Sequence, residues 1–341
     1  MINLISDTVT KPTAAMLAAM FAAEVGDDVF REDPTVNALE EKTAALFGME
    51  AALFCPSGTM SNQLAIKVLT QPTDEIICDE TSHIYNYEGA GYAFHSGVSV
   101  YPIRANGILT VEQIEQAIKP TQDWLPRSSL VVLENTGNRS GGNYYYLSQI
   151  ELISNFCKQR QLALHLDGAR IFNALVATGE RAEEYGKFFD SISVCLSKGL
   201  GAPIGSMLVG GKDFIRAARR FRKIFGGGMR QAGYLAAAGI YALDNHILRL
   251  KDDHLAAQQI GNVIQELKFV EYLLPVKTNI IIFNVKFPHS ANYIVEQLMN
   301  QNIKVSAFGG QSVRMVTHLD ITPSMVQTVI SALKNIDEAL T

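Results

Sequence analysis

Leu162-Ala-Leu-His-Leu166 runs directly into Asp167-Gly-Ala-Arg170, and further on Ile192-Ser-Val-Cys-Leu196 runs into Ser197-Lys198-Gly-Leu-Gly201-Ala-Pro203. Each is an apolar run of strand length that ends in a charged residue and then small residues. Working outward, residues 51–54, 75–78, 98–103, 130–133 and 207–210 read as further buried strands. Amphipathic stretches at 36–47, 61–69, 111–118, 148–161 and 182–189 read as the helices between several of them. Strand and helix in alternation predict an α/β fold around a mainly parallel sheet, with ligands outside the carboxyl ends of the strands. From about 228 a long helical stretch runs to 267. Strands at 279–285 and 312–316 and helices at 292–302 and 322–340 then form a second unit. At 341 residues the chain exceeds the size at which one core stops growing. The expectation is a large domain over 1–250, including the N-terminal segment, and a smaller α+β domain over 251–341.

Composition narrows the function. Charged residues make up 18% and the formal net charge is -5, which describes an ordinary globular protein and argues against a nucleic-acid binder. The local exception is Arg216, Arg219, Arg220, Arg222 and Lys223, a basic cluster whose ordinary reading is a solvated helix face. The start, Met1-Ile-Asn-Leu-Ile-Ser-Asp7, has no secretory pattern. The longest apolar stretch, 232–243, falls short of the roughly 20 residues that cross a bilayer. A cytoplasmic protein without membrane contact is expected. Cys55, Cys78, Cys157 and Cys195 form no C-x-x-C pair and read as buried free thiols, so no metal site is expected.

Four strand ends carry chemistry. Asp167 puts a carboxylate where such a sheet presents its ligand site, although a strand-end aspartate also caps helices. Lys198 lies in a small-residue loop with room to act as a nucleophile, although a surface lysine would look the same. Cys55-Pro-Ser57-Gly58-Thr59-Met60 precedes an amphipathic helix and offers hydroxyls, a glycine and free N–H groups to a dianion, or caps the helix. His83, in Asp79-Glu-Thr-Ser-His83, is placed to cap, to shuttle protons or to stack on a ring. Together they come in one order, after successive strands of one sheet: phosphate loop, histidine, aspartate, lysine. Pyridoxal 5'-phosphate (PLP) needs those parts: a helix N-terminus for its phosphate, an anion at its pyridine nitrogen and a lysine for its aldehyde.

The chain also resembles the threonine aldolases, members of the aspartate-aminotransferase-like (fold type I) PLP superfamily that are grouped with the aromatic amino-acid β-eliminating lyases. The resemblance spans nearly all residues. It rests on Ser6-Asp-Thr-Val-Thr-Lys-Pro12, Val25-Gly-Asp-Asp-Val-Phe30, Glu32-Asp-Pro-Thr-Val36, Ala52-Leu-Phe-Cys-Pro-Ser-Gly-Thr-Met60, His165-Leu-Asp-Gly-Ala-Arg170, Ser197-Lys-Gly-Leu-Gly201, Gly226-Gly-Gly-Met-Arg-Gln231 and Thr317-His-Leu-Asp320, in that order. It implies a large domain with a mainly parallel seven-stranded sheet. It implies that Lys198 holds PLP as a Schiff base, that Asp167 pairs with the pyridine nitrogen, that His83 stacks on the ring, and that Gly58 and Thr59 hold the phosphate. Arg170, beside the cofactor, would bind the substrate carboxylate together with Arg314 and Ser6. Lys223 and Arg230 border the site and reach a phosphate, that of a neighbouring subunit included, in a homodimer or homotetramer.

The implied reaction is cleavage of an L-3-hydroxy-α-amino acid, such as L-threonine or L-allo-threonine, to glycine and an aldehyde. His83 is the candidate for the β-hydroxyl proton, with Tyr87 and Glu88 beside it and Glu88 fixing its tautomer. The competing readings are β-elimination, releasing ammonia and a keto acid, and a PLP-fold protein without catalysis. Departures from the family pattern cluster near the substrate. Asp123-Trp124-Leu125-Pro126 and Glu134-Asn-Thr-Gly137-Asn138 each lack a histidine common in the family. Arg31 stands where glycine is usual, and Ile5 where arginine is. Trp124 and Tyr144-Tyr145-Tyr146 offer aromatic neighbours to a β-substituent, although such residues are more often packing elements.

Overall fold

A computed structural model describes residues 1–340. The strands in chain order are β1 (Ile2–Asn3), β2 (Ala51–Cys55), β3 (Asp74–Asp79), β4 (Ser99–Ile103), β5 (Arg127–Glu134), β6 (Ala163–Gly168), β7 (Ser191–Cys195), β8 (Ser206–Gly210), β9 (Val270–Leu273), β10 (Ile280–Val285), β11 (Ile303–Lys304), β12 (Ser306–Ala307) and β13 (Ser312–Val316). Runs such as Leu130–Leu133, buried on both faces, form a seven-stranded sheet ordered β2-β8-β7-β6-β5-β3-β4, with β8 alone antiparallel to its neighbours. This is the mainly parallel sheet expected. Two neighbour pairs, however, are not successive in the chain: β3 lies beside β5, and β2, at the far edge, lies beside β8. The four strand-end groups therefore do not stand on successive strands of the sheet. Register sets Glu134 of β5 beside Asp167 of β6, and Asp167 beside Ser193 of β7.

The helix expected over 228–267 is two, Gly233–Asn245 and Leu250–Ile264. The break has a use. It lets His246 Nδ1 donate to the Leu200 carbonyl at 2.7 Å and Arg249 reach the Gly199 carbonyl at 3.3 Å, so both brace the loop after Lys198. The helix expected over 182–189 ends at Tyr185, and Gly186, which follows it, packs so closely on the Phe47 carbonyl that a Cβ would lie 1.9 Å from it. The basic cluster, on helix Lys212–Ile224, is only partly a solvated face. Arg216 and Arg220 are exposed, but Arg219 pairs with Glu40, and Arg222 is buried against Asp28 at 2.6 Å.

Past this layer, β12-β13-β10-β9 form an antiparallel sheet with its own core, in which Ile281, Phe283 and Met315 meet helices Leu250–Ile264, Ala291–Asn300 and Pro323–Ala339. The chain's first residues join that second core: β1 pairs with β11, and Leu4 is fully buried there. All four cysteines are buried free thiols. Among the described residues no helix is long and apolar enough to cross a membrane.

Candidate active site

Helix Gly58–Leu69 starts at the carboxyl end of β2, with the Ser57 hydroxyl accepting from the Met60 N–H at 3.2 Å. Gly58 is required because a Cβ there would lie 2.6 Å from Cys195 Sγ; its absence lets the helix N-terminus close on β7. Glycine 227 packs against Met60, so the loop between Lys223 and Arg230 flanks the same first turn. Within this chain Arg230 is turned to Asp27 at 2.8 Å, and Lys223 is exposed without an ionic partner among the described residues.

Asn62 lies three residues past Thr59, about 5 Å along the axis. Its amide donates to Asp167 Oδ2 and to Glu88 Oε1, each at 2.8 Å. An amide that donates to two carboxylates must turn its oxygen the other way, toward His165 Nε2 at 3.1 Å. His165 thus donates from Nε2, while its Nδ1 lies 2.8 Å from the Ser191 hydroxyl and 3.1 Å from the Ser191 carbonyl. Burial holds this imidazole neutral, with its pKa down at about 4. Glu88 also accepts from Gln63 at 2.6 Å and meets His83 Nδ1 at 2.8 Å. With its proton on Nδ1, His83 keeps Nε2 as a free base. Burial pushes His83 down, but the bond to Glu88 and the charges of Asp167 and Glu88 outweigh it, so the net pKa is raised. Tyr87 stands beside this imidazole, ring centroids 5.5 Å apart. Ligand atoms of His83, Glu88 and Asp167 lie within 4.8 Å of one another.

Glu134 closes this end of the site. Its two oxygens accept from the backbone N–H groups of His83 and Asn138, both at 2.7 Å. Burial, with Asp167 adding to it, pushes its pKa up to about 7.

Two arginines face each other across Asn138. Arg170 forks onto buried Asp7 at 2.6 and 2.7 Å. Burial alone would raise the Asp7 carboxyl, but Arg170, with Lys198 and Arg314 at longer range, holds it well below the usual carboxylate range. Arg314 has no acid. It donates to Asn138 Oδ1 at 2.7 Å and to the Ile5 carbonyl at 3.3 Å, and its Nε has no partner. Burial, then Arg170, brings its pKa down to about 10. Ile5 thus serves through its backbone. Ser6 accepts from the Thr8 N–H at 3.2 Å, which leaves its own hydroxyl proton free to donate.

The arrangement fits PLP with an amino acid, because each group lacks one partner. Lys198 Nζ has no hydrogen bond or ion pair, and buried Asp167 has an amide and a backbone N–H but no cation, among the described residues. Arg314 lacks an anion, and the helix at Gly58 presents free N–H groups.

Several expectations change. Trp124 is 77% exposed and precedes β5, at the edge of the sheet opposite Glu134, so it does not border the site. Tyr145 is a packing residue whose hydroxyl accepts from the Leu109 N–H at 2.7 Å. At Gly137 a Cβ would stand 2.0 Å from Ser140 Oγ, so a side chain there would require Ser140 to turn away. Arg31 adopts φ 63, the left-handed region that favours glycine. Sequence reasoning missed Asp7, Asn62, Glu134, Asn138 and His165 as site residues. The available signal was a polar residue inside or at the end of an apolar run, as His165 is in Leu164-His165-Leu166.

Residues 3–287 match the sequence profile described as beta-eliminating lyase. The chain belongs to the β-eliminating lyase family. Relatives agree across the whole length: the low specificity L-threonine aldolase of Escherichia coli (strain K12) is 43% identical over 96% of this chain and 97% of its own. Low-specificity L-threonine aldolase 1 of Arabidopsis thaliana is 38% identical, covering 98% and 95%. The fold recurs in threonine aldolase from Leishmania major, with a TM-score of 0.85 at 20% identity over 99% and 100% of the two chains. It recurs also in a serine palmitoyltransferase from S. paucimobilis with bound PLP, at 0.77 and 17% identity over 99% and 88%. This member of the β-eliminating lyase family thus shares its fold with PLP enzymes of other reactions.

Proposed function

We propose that the chain is a PLP-dependent aldolase that cleaves L-3-hydroxy-α-amino acids, L-threonine and L-allo-threonine among them, to glycine and an aldehyde. The observation that carries it is the set of groups each short of one partner, in a chain similar over nearly its full length to low-specificity L-threonine aldolases. When bound, PLP supplies an electron sink for the bond broken at Cα. Lys198 would hold its aldehyde, Asp167 would accept from its ring N–H, His83 would stack on the ring, and Gly58 and Thr59 would hold its phosphate, with Lys223 and Arg230 beside them. Arg314, Arg170 and Ser6 fix the substrate carboxylate, which sets which bond at Cα stands across the ring. His83 Nε2 takes the β-hydroxyl proton while Glu88 holds Nδ1. The Cα–Cβ electrons stay with Cα, the β-oxygen becomes the aldehyde, and Cα gains a proton, so no other reactant is needed.

We also propose a homodimer or homotetramer. Support comes from Phe21, Phe30, Phe94 and Ile224, which are 67–85% exposed, Ile224 opening the glycine-rich loop that flanks the phosphate helix. Exposed apolar residues that gather into one patch mark interaction sites, and Phe94, His95 and Phe225 lie in ring contact beside that loop.

The test is product analysis of PLP-loaded protein with L-threonine and L-allo-threonine, scoring glycine, aldehyde, keto acid and ammonia together. Glycine with acetaldehyde is expected; keto acid with ammonia would replace the aldolase by a lyase. In Lys198→Ala, borohydride should no longer fix the cofactor to the chain, and fixation at an unchanged yield would remove Lys198 from its role.

A further inference from the structure

Next to this site lies a cavity of about 560 Å3, between the carboxyl end of the large sheet and the sheet of β10 and β13. Two cations line it, Arg139 and Lys277, and no acidic side chain does. Neutral groups hold both. Arg139 donates to the Tyr87 hydroxyl, and its guanidinium lies 4.6 Å from the Phe308 ring centroid. Lys277 donates to Asn143 Oδ1 at 2.8 Å and stands 5.2 Å from the Tyr144 ring centroid. Neither makes an ion pair among the described residues. Phenol, amide and rings fix a cation in place without neutralising it, so a planar fork and an ammonium remain available to an anion. Arg314 and Asn138 form the same kind of pair at the carboxylate end.

The cavity adjoins the reacting end of the site on two sides. Tyr87, which anchors Arg139, has its ring 5.5 Å from that of His83. Phe308, which carries Arg139 on its face, also carries Arg314 at 5.1 Å. On the aldolase reading, a substituent that extends from Cβ past His83 and Tyr87 would meet Arg139. A threonine methyl leaves both cations without a counter-charge, whereas a carboxylate on a longer substituent supplies one.

We propose that this cavity receives the β-substituent of the substrate and that Arg139 and Lys277 select one ending in a carboxylate, so that the aldehyde released is anionic. The proposal rests on the aldolase reading. Its test compares L-3-phenylserine with L-3-(4-carboxyphenyl)serine, which differ only in the distal carboxylate, and assays L-threonine in the same preparation. A charge-assisted contact predicts a KM for the carboxylated substrate lower by roughly ten- to a hundredfold. That ratio should fall toward one in Arg139→Gln with Lys277→Gln, and should shrink as salt is added. Equal KM values in the wild type, or a preference that survives in the double variant, would overturn the proposal. Cleavage of threonine without the preference sinks only this inference, and no cleavage of any of the three sinks the aldolase reading with it.

Discussion

The residues that sustain the site are recognisable by what they lack. Lys198 lacks any partner, Asp167 a cation and Arg314 an anion, and each would be costly inside a protein if nothing were to complete it. Arg170 shows the contrast, because Asp7 completes it within the chain. In the proposed carboxylate site, the nitrogen left to Arg170 is the one turned toward Asn138, at 3.5 Å. Arg31 shows a cost of another kind. Its φ of 63 closes the turn after Asp28–Phe30, and a side chain there is strained by contact of Cβ with the backbone. Arg31→Gly relieves that strain while giving the unfolded chain more freedom, so the net gain should be roughly 0.5–1 kcal/mol. Urea denaturation checks it, and a loss of stability would mean that the exposed arginine makes a contact worth more than the strain.

At the scale of elements, the apolar runs were legible because strands buried on both faces leave continuous hydrophobic stretches, as Ser191–Cys195 does next to Lys198. Sheet order was not legible, since nothing in β3 says that it pairs with β5. Asn62 was hidden for the same reason: its amide acts on Glu88 and Asp167, 26 and 105 positions away, and its oxygen on His165, 103 positions away. Glu134 was missed although its segment was read, because its role as acceptor for two loop N–H groups depends on β5 lying beside β6. That location makes stability depend on pH. With the folded pKa at about 7 and the ordinary value at 4.5, the folded chain keeps a proton between those limits that the unfolded chain has lost. Stability of the cofactor-free protein should therefore fall as pH rises from 4.5 to 7, by an amount on the order of 2 kcal/mol from this group. His83, also raised, adds a further fall above 6.5. The difference between wild type and Glu134→Gln across 4.5–7 isolates the glutamate. A difference that stays flat, or rises, would place the proton elsewhere.

Across the whole molecule the N-terminal segment ties the two cores to one site. Leu4 is buried in the second core and hydrogen-bonds to Lys304 and Val316, both at 2.8 Å. The Ile5 carbonyl meets Arg314, and Asp7 is buried against Arg170. Thr10 reaches the carbonyl of Lys198 at 3.1 Å. Within a few residues the segment thus touches the carboxylate end from both sides and the lysine loop, linkage that its short strand β1 gives no hint of in sequence. Leu4→Ala removes the anchor at one end. The buried cavity should cost about 2–4 kcal/mol. If the segment only fills space, activity below the melting transition stays unchanged. If it sets the distance between the arginines, Arg314 loses its backbone acceptor, and KM for L-threonine rises several-fold while kcat falls less, since Lys198 and His83 are held by other elements. Steady-state kinetics of Leu4→Ala at a temperature where it remains folded decides between these, and an unmoved KM would reduce the segment to packing.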